Sequence, residues 1–523
     1  MSVKLLKSTA VVSAMTLLSR VFGFIRDMVM ASTFGAGAAT DVFFVVFRIT
    51  NFMRQLFAEG AFSQGFVPVL AQYKADGDKQ RERALLDRVA GTLGGVLFVV
   101  SLVGVAAAPV LILAAAPGFY DEPAKYRLGV EMLRLTFPYL LFISLTAFAG
   151  AILNAYGRFA VPAFTPVLLN IVLIGAMVLV APYLAQPIMA LAAAVLVAGV
   201  VQLGFQLPFL YGLRRLPRPR WGQAHTGVRK IVRLMGPALF GSSVAQINLL
   251  FDTWLASLLV TGSISWLYYS DRLLQFPLGI IAIALATVIL PTLSKLHAQQ
   301  DRQTFTSMLD WGLRWALLLG LPAAIALLSV AGPLLTTLFH YGEFGDEAVY
   351  QARLSLMAYA VGLPGFMLIK VLTPGYFSRQ DTKTPVRAAV TAIGVNALLS
   401  VALIVPLAHV GLALATAISA YVNVGLLLRG LWRDGVYRRQ SGWWKFAGRL
   451  SVAGSVLAAG LWYLTPETAV WMAVDASQRA LWLLATVTGG AALYAGALWL
   501  LGISQDRLWT QPAGSSPTSR RTT

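Results

Sequence analysis

Long apolar stretches separated by short polar connectors run through almost the whole chain of 523 residues. A membrane-spanning helix needs about 20 mostly apolar residues. At that length the pattern predicts fourteen transmembrane helices, and therefore an all-α polytopic membrane protein. The predicted spans are 8–34, 40–66, 88–115, 128–156, 163–183, 188–212, 231–260, 264–292, 311–339, 350–377, 385–407, 411–432, 446–465 and 479–502.

The composition agrees with a membrane protein and argues against an enzyme. Only 12% of the residues are charged, whereas soluble proteins carry about 25%. The chain has no cysteine, so it has no disulfide, thiol nucleophile or cysteine metal site. The four histidines lie far apart, and the 22 acids are scattered rather than clustered for metal or base chemistry. We therefore expect a transport protein without a cofactor.

The net charge of +19 has two obvious explanations, nucleic-acid binding or membrane topology. Of the 41 Lys and Arg residues, 30 lie at the termini or beside connectors that follow even-numbered spans, five lie on the other side, and six lie within spans. Lys and Arg concentrate in cytoplasmic connectors. The pattern predicts that both termini lie in the cytoplasm and argues against nucleic-acid binding.

The N-terminus has one feature of a secretory leader, because Lys4 and Lys7 precede an apolar run. Arg20, Arg26 and Asp27 then follow without a small-residue cleavage pattern. We therefore expect a retained first helix.

Two pairs of prolines indicate an internal repeat. Pro68 in FVPVLAQYK and Pro291 in VILPTLSKL are 223 residues apart, and so are Pro162 and Pro385. Because each half would contain six helices, the repeats are expected to be parallel, as in one class of transporters. The predicted domains are an N-lobe (1–220, helices 1–6), a C-lobe (221–436, helices 7–12), and helices 13–14 with a cytoplasmic tail (437–523).

Besides the charged residues counted with the connectors and their flanks, eleven fall within predicted spans, where each costs about 2.5–3.5 kcal/mol unless it faces water or a partner. Snorkelling is a reasonable alternative for Asp41 and Glu59, near helix ends, but a poor one for Arg20. The eleven are Arg20, Arg26, Asp27, Asp41, Arg48, Arg54, Glu59, Asp252, Asp271, Arg272 and Lys370.

Polar residues also recur at helical spacing, which places them on common faces. The three stripes are Arg20 with Asp27; Asn51, Arg54, Gln55 and Glu59; and Ser265, Tyr268, Arg272 and Gln275. Arginine binds phosphate oxygens in a bidentate manner and keeps its charge. The stripes predict a membrane-embedded cavity for a phosphate-bearing substrate. The alternative is a set of Arg–acid pairs that lock helices together.

A fainter pattern suggests a cation site. Asp252, Asn396, Ser400 and Thr416 offer the hard oxygen ligands that bind Na⁺ or a proton in transporters. Ordinary interhelical hydrogen bonds are the favoured alternative.

Six long segments carry a resemblance to known proteins. They are SRVFGFIRD (19–27), FGAGAATDVFFVVFR (34–48), NFMRQLFAEGAFSQGFVPVLAQYK (51–74), PYLLFISLTAFAGAILNAYGRFAVPAFTPVLLN (138–170), GSISWLYYSDRLLQFPLGI (262–280) and PGYFSRQDTKTPV (374–386). With these segments, and over nearly its whole length, the chain resembles the MurJ (MviN) family of lipid II flippases, within the MATE-like exporter superfamily.

The resemblance implies two six-helix lobes and two further helices that form a groove for a lipid tail. It also implies translocation of undecaprenyl-pyrophosphate-linked disaccharide-pentapeptide from the inner to the outer leaflet. Gln275 departs from family members that carry an acid there, so a fixed pair between that position and the helix-8 arginine is not expected. The family's cavity residues match Arg20, Arg26, Asp41, Arg54, Arg272 and Lys370.

These observations give a working hypothesis. Pyrophosphate binds the arginines, and the lobes rock between inward-open and outward-open states. Asp41 or Glu59 forms ion pairs with arginines in one of these states only. Membrane potential or a coupling ion drives the cycle. The expected partners of this monomer are lipid II, membrane lipids and the cell-wall synthesis machinery. The alternatives are a flippase for another polyprenyl-pyrophosphate-linked oligosaccharide and a MATE-type cation-coupled antiporter.

Overall fold

The computed structural model describes residues 3–222 and 225–503, with the side chains of 3–9, 58–61, 237–245 and 282–283 excepted. The described backbone is helical and contains no strand. Its α-helices are α1 (Val3–Phe34), α2 (Ala38–Arg54), α3 (Ala61–Ala75), α4 (Lys79–Ala106), α5 (Ala108–Ala115), α6 (Pro123–Thr136), α7 (Tyr139–Ala155), α8 (Ala160–Leu179), α9 (Met189–Gly212), α10 (Thr226–Ala256), α11 (Ser263–Pro277), α12 (Ile283–Ala298), α13 (Arg302–Phe339), α14 (Asp346–Phe377), α15 (Lys383–Arg433), α16 (Trp443–Leu464), α17 (Thr468–Met472) and α18 (Ala476–Leu500).

Many of these helices are long and apolar enough to cross a membrane. Eight candidate spans meet that test among the described residues, and nine do if the bent pair Ser263–Ile281 and Ala284–Ala298 counts as one. The all-helical, membrane-spanning class predicted from the sequence is therefore confirmed.

The chain forms two compact units. Unit 1 contains Met1–Ser265 together with Tyr341–Phe344, and unit 2 contains Trp266–His340 and Gly345–Thr523. In unit 1, stacked and edge-on rings of Phe62, Phe66 and Phe148 join α3 to α7. In unit 2, α13 packs against α16 and α18, where the Tyr494 hydroxyl donates to the Leu318 carbonyl at 2.8 Å. The predicted tail beyond residue 503 lies outside the described residues.

Several predicted spans contain breaks. The spans predicted at 385–407 and 411–432 are two helices within α15, separated by a sharp break at Ala408 (φ 47°, ψ −131°). Pro406, just before this break, removes a backbone donor. The predicted span 40–66 consists of α2, a π-helical turn at Gln55–Gly60 and the first part of α3.

The element boundaries repeat with an offset of 223 residues. Helices α2 and α11 end at Arg54 and Pro277, and each is followed by a π-helical turn, Gln55–Gly60 or Leu278–Ala282. Helices α3 and α12 then end at 75 and 298, and α4 and α13 begin at 79 and 302. The spacing of the proline pairs thus recurs in the backbone of the two halves.

The turns after α3 and α12 are also equivalent. Gly77 and Gln300 both adopt left-handed backbone conformations, with φ of 74° and 56°. The next residues, Asp78 and Asp301, cap the following helices, because their carboxylates accept from first-turn backbone N–H groups. A side-chain acceptor there satisfies donors that the helix itself leaves without partners.

Candidate functional site

Arg26 is held in a fixed orientation inside unit 1. Its Nη2 and Nε atoms donate to Asp27 Oδ1 at 2.6 and 3.0 Å, and its Nη1 donates to Asn170 Oδ1 at 3.1 Å. Arg26 is 6% exposed and Asp27 is fully buried. Because an isolated buried charge is very costly, the acid and the amide together make this burial tolerable. Asp27 therefore fixes the position of the arginine rather than leaving it mobile.

Asn170 links α8 to α1. Its Nδ2 donates to the carbonyls of Ser19 at 3.2 Å and Pro166 at 3.3 Å, while its oxygen accepts from Arg26. The buried amide thus touches α1 both next to Arg20 and at Arg26. The sequence analysis did not single out Asn170. The available signal was an amide within the otherwise apolar span 163–183.

Arg20 lies in the middle of α1 and has an exposed side chain. Among the described residues it has neither a hydrogen-bond nor an ion-pair partner. Arg54 is half-buried, and its Nε donates to Asn51 Oδ1 at 3.2 Å, three residues earlier. The predicted Asn51–Arg54 face is therefore present, whereas the side chain of Glu59 lies outside the described residues.

Arg48 contacts a neighbouring helix. Its Nη1 donates to the Leu249 carbonyl at 3.0 Å and to the Thr253 hydroxyl, both on α10. This arginine therefore joins α2 to α10 and belongs to the helix-locking alternative.

Asp41, on α2, caps the beginning of α11. Its carboxylate accepts from the Gly262 N–H at 2.6 Å, and from the Ser265 N–H and hydroxyl at 2.9 and 2.6 Å. Asp41 is 2% exposed and Ser265 is fully buried. A carboxylate beside the N–H groups of a helix N-terminus is stabilised by hydrogen bonds and by the helix dipole. The acid is bound by backbone and serine here, not by arginine.

Unit 2 contains the remaining predicted substrate-binding residues. Arg272 is half-buried on α11, and Lys370 is exposed on α14. Gln275 donates its amide to Asp271 Oδ2 at 2.5 Å, one helical turn earlier. Gln275 therefore binds the neighbouring acid of its own helix.

The candidate cation ligands fall in both units. In unit 2, Asn396 and Ser400 are buried on one face of α15, at 1% and 0% exposure. The Thr416 hydroxyl donates to the Leu412 carbonyl at 3.1 Å, which is an ordinary intrahelical bond. Asp252 is half-buried on α10, in unit 1.

The arrangement in unit 1 combines one oriented guanidinium, at Arg26, with an exposed one at Arg20 and a half-buried one at Arg54. Guanidinium groups bind phosphate through paired charge-assisted hydrogen bonds. Arginine in mid-membrane normally faces a polar cavity or a partner. Together these properties suit recognition of an anionic group by a membrane-embedded transporter.

Comparisons with known proteins agree with this picture. The model of a family described as "Lipid II flippase MurJ" matches residues 30–479. The chain is 51% identical over 511 residues to "Probable lipid II flippase MurJ" of Vibrio cholerae, covering 96% of this chain and 97% of that protein. It is 42% identical over 504 residues to "Lipid II flippase MurJ" of Burkholderia cenocepacia, covering 95% and 98%.

Two solved structures share the fold. One is "Lipid II flippase MurJ, inward closed conformation", with a TM-score of 0.78 and 23% identity over 94% of this chain and 99% of that one. The other is an inward-facing MATE family transporter of the MOP superfamily, with a TM-score of 0.66 and 15% identity over 82% and 98%. The fold and its apolar helices define a multi-pass membrane protein of MATE-like architecture. The chain belongs to the lipid II flippase MurJ family, which confirms the resemblance seen in its sequence.

Proposed function

We propose that this protein flips lipid II from the inner to the outer leaflet of the bacterial inner membrane for cell-wall synthesis. The family assignment supports the substrate. Arg20 carries the structural part of the proposal, because an exposed arginine midway along α1 requires water or an anion nearby. The pyrophosphate would bind Arg20, Arg26, Arg54 and Arg272, with Lys370 supplying a further positive charge.

The proposed cycle is alternating access. The two lobes rock so that the bound headgroup faces first one side of the membrane and then the other, while the polyprenyl tail stays in lipid beside α16 and α18. A conformational cycle needs contacts that exist in one state only. The bonds from Asp41 to Gly262 and Ser265 are suited to that role on the side that the charge pattern assigns to the outside.

The proposed topology has fourteen spans with both termini in the cytoplasm. Its domains are 1–220, 221–436 and 437–523, and the 223-residue offset between element boundaries supports the first two as repeats. Because the chain has no cysteine, single cysteines placed in the connectors can be labelled from either side without background. We further propose that the monomer works beside the cell-wall synthesis machinery.

Membrane potential is the proposed driving force, worth about 2.3 kcal/mol per charge per 100 mV. A cation bound at Asp252, Asn396, Ser400 and Thr416 is the alternative. To separate these two driving forces, outer-leaflet lipid II is measured after collapse of the membrane potential at constant Na⁺ and after removal of Na⁺ at constant potential.

The central experiment depletes the protein in cells and measures the leaflet distribution of lipid II. Loss of outer-leaflet lipid II is expected, with rescue by the parent chain but not by Arg20→Ala or Arg54→Ala at equal abundance. Exposed Arg127 offers a control, because Arg127→Ala should rescue. Normal outer-leaflet lipid II after depletion would contradict the proposed function.

The same assay addresses the two alternatives. If the protein instead flips another polyprenyl-pyrophosphate-linked oligosaccharide, its depletion leaves the leaflet distribution of lipid II unchanged. The other lipid-linked oligosaccharide then accumulates in the inner leaflet. A MATE-type antiporter would alter export of cationic drugs. The arginines of α1 and α2 disfavour the antiporter, because they repel a cationic substrate.

A further inference from the structure

The turn 257–262, between α10 and α11, is held by three other elements of unit 1. The Gly118 N–H donates to the Ser257 hydroxyl oxygen at 3.2 Å. Lys125 Nζ, on α6, donates to Thr261 Oγ1 at 2.6 Å, and Asp41 accepts from the Gly262 N–H at 2.6 Å. Movement of this turn away from α2 and α6 would break all three contacts.

Lys125 is unusual among these groups because it is a buried cation. The residue is 5% exposed, and its ammonium also donates to Glu122 Oε1 at 2.6 Å and lies 5.7 Å from the Phe119 ring centroid. An ammonium ion is strongly hydrated, so its burial is costly unless hydrogen bonds replace the lost water. Lys125 is one of the five Lys and Arg residues that the charge pattern places on the outer side of the predicted topology.

The two acceptors of Lys125 differ in how they depend on conformation. Glu122 directly precedes the first residue of α6, so it stays near Lys125 however the turn moves. Thr261 belongs to the turn itself and accepts from Lys125 only when the turn lies against α6. The Lys125–Thr261 bond therefore stabilises the docked position of the turn and contributes nothing once the turn has left.

Lys125 and Asp41 act on the same short segment with opposite charges. By holding Thr261, Lys125 places the next residue, Gly262, where its N–H reaches the Asp41 carboxylate. Neither contact involves a substrate-binding arginine.

We infer that Lys125 is a positioning residue that holds the turn 257–262 for capping by Asp41, and so favours the state closed at this end of unit 1. The inference rests on the proposed alternating-access function, because a closure contact matters only if the protein also opens there. It adds a regulatory contact outside the arginine site.

The test measures opening directly with a single cysteine. Ser263 is fully buried at the start of α11, and the parent chain has no cysteine. In S263C cells, a membrane-impermeant maleimide added outside should label slowly. Adding Lys125→Met should raise the labelling rate about tenfold, the effect expected for loss of one charge-assisted hydrogen bond.

A double-mutant cycle separates positioning from general destabilisation. Thr261→Val removes the acceptor and should raise labelling similarly, while the double variant should exceed neither single variant by much. Arg127→Met removes an equal charge from an exposed position on the same helix and should leave labelling unchanged. If the Lys125→Met variant does not accumulate in the membrane, the labelling rate of the Thr261→Val variant alone tests the inference.

Two results would overturn the inference. One is unchanged labelling in both Lys125→Met and Thr261→Val; the other is an equal increase in Arg127→Met. The labelling is done in cells that also carry the parent gene, whose product has no cysteine, so labelling does not depend on lipid II transport by the variant. Failure of the proposed function would appear instead in the depletion assay, with labelling unaffected.

Discussion

The pair α2–α3 in the first half and the pair α11–α12 in the second share a backbone pattern but differ in chemistry. Each pair contains a π-helical turn at the equivalent place. The first half ends α2 with Arg54 and has Glu59 in its π turn, whereas the second has Pro277 and the apolar sequence LGIIA. Both halves thus keep the π-helical turn, but only the first half has charged residues at it.

This difference separates two roles. π turns occur frequently at functional sites and change the direction of a helix, and both halves keep that property. The proposed substrate-binding arginines are concentrated in the first half, where α1 and α2 carry Arg20, Arg26 and Arg54, while α10 and α11 carry only Arg272 from that set. The comparison suggests a duplicated moving scaffold with an asymmetric anion site.

The strongest test of this asymmetry is Arg26→Met. The position 223 residues later is Leu249, so the second half tolerates an apolar residue there. In the first half, the substitution removes the guanidinium that binds buried Asp27. Breaking a buried ion pair costs about 3–5 kcal/mol, and a large drop in the thermal unfolding midpoint in detergent is expected.

Leu249→Ala provides the matched change in the second half, at a residue that is 41% exposed. It should lower the midpoint far less than Arg26→Met. Equal drops would show that the charged position in the first half has no special role in stability.

The second test concerns Asp41, whose equivalent in the second half is the buried, apolar Ile264. Asp41→Ala removes the acceptor of two backbone N–H groups and one hydroxyl at the start of α11. Leaving buried donors without a partner costs about 1–3 kcal/mol. We therefore expect the docked position of the turn 257–262 to lose about 2 kcal/mol of stability. This loss is measured as faster labelling of S263C.

Asp41→Asn is the informative companion, because an amide oxygen still accepts hydrogen bonds but carries no charge. An intermediate labelling rate would assign part of the effect to charge. A labelling rate equal to that of S263C alone in both variants would contradict the capping role.

Sequence reasoning predicted the helical membrane class and the family, because both depend on long patterns. It also identified Asp41 and Ser265 separately. Their mutual contact could not be predicted, since it requires the start of α11 to lie beside α2. The π turns were missed because one extra residue scarcely alters a hydrophobic stretch, and Lys125 was missed because charge counting cannot reveal burial.

The third test uses the equivalent left-handed positions Gly77 and Gln300. No atom lies within 4 Å of a Cβ added at Gly77, so Gly77→Ala should cost only the backbone strain, about 1 kcal/mol. Gln300→Gly should relieve similar strain, with a smaller net gain because glycine makes the unfolded chain more flexible. Thermal midpoints that move in opposite directions would support equivalence of the two turns. A shift in the same direction would contradict it.

The smallest expected effect is the loss of stability on replacing Asp381, compared with replacing its first-half equivalent, Arg158. Asp381 Oδ1 accepts from the N–H groups of Lys383 and Thr384 at 3.1 and 3.0 Å, whereas α8 begins without a side-chain cap. Asp381→Ala should cost about 0.5 kcal/mol, at the low end for a lost cap. Arg158→Ala should cost less.

The destabilisation caused by Asp381→Ala should also depend on pH in a defined direction. Partial burial raises the pKa of Asp381, but the hydrogen bonds from Thr384 and Lys383 outweigh it, so the pKa lies below its ordinary value of 3.8. A lowered pKa means that the stabilisation is present above 3.8 and is lost as the pH falls through the folded-state pKa. The difference in unfolding free energy between Asp381→Ala and the parent chain should therefore be constant near neutral pH and shrink in acid. A difference that grows in acid would show that the charged carboxylate is not the capping form.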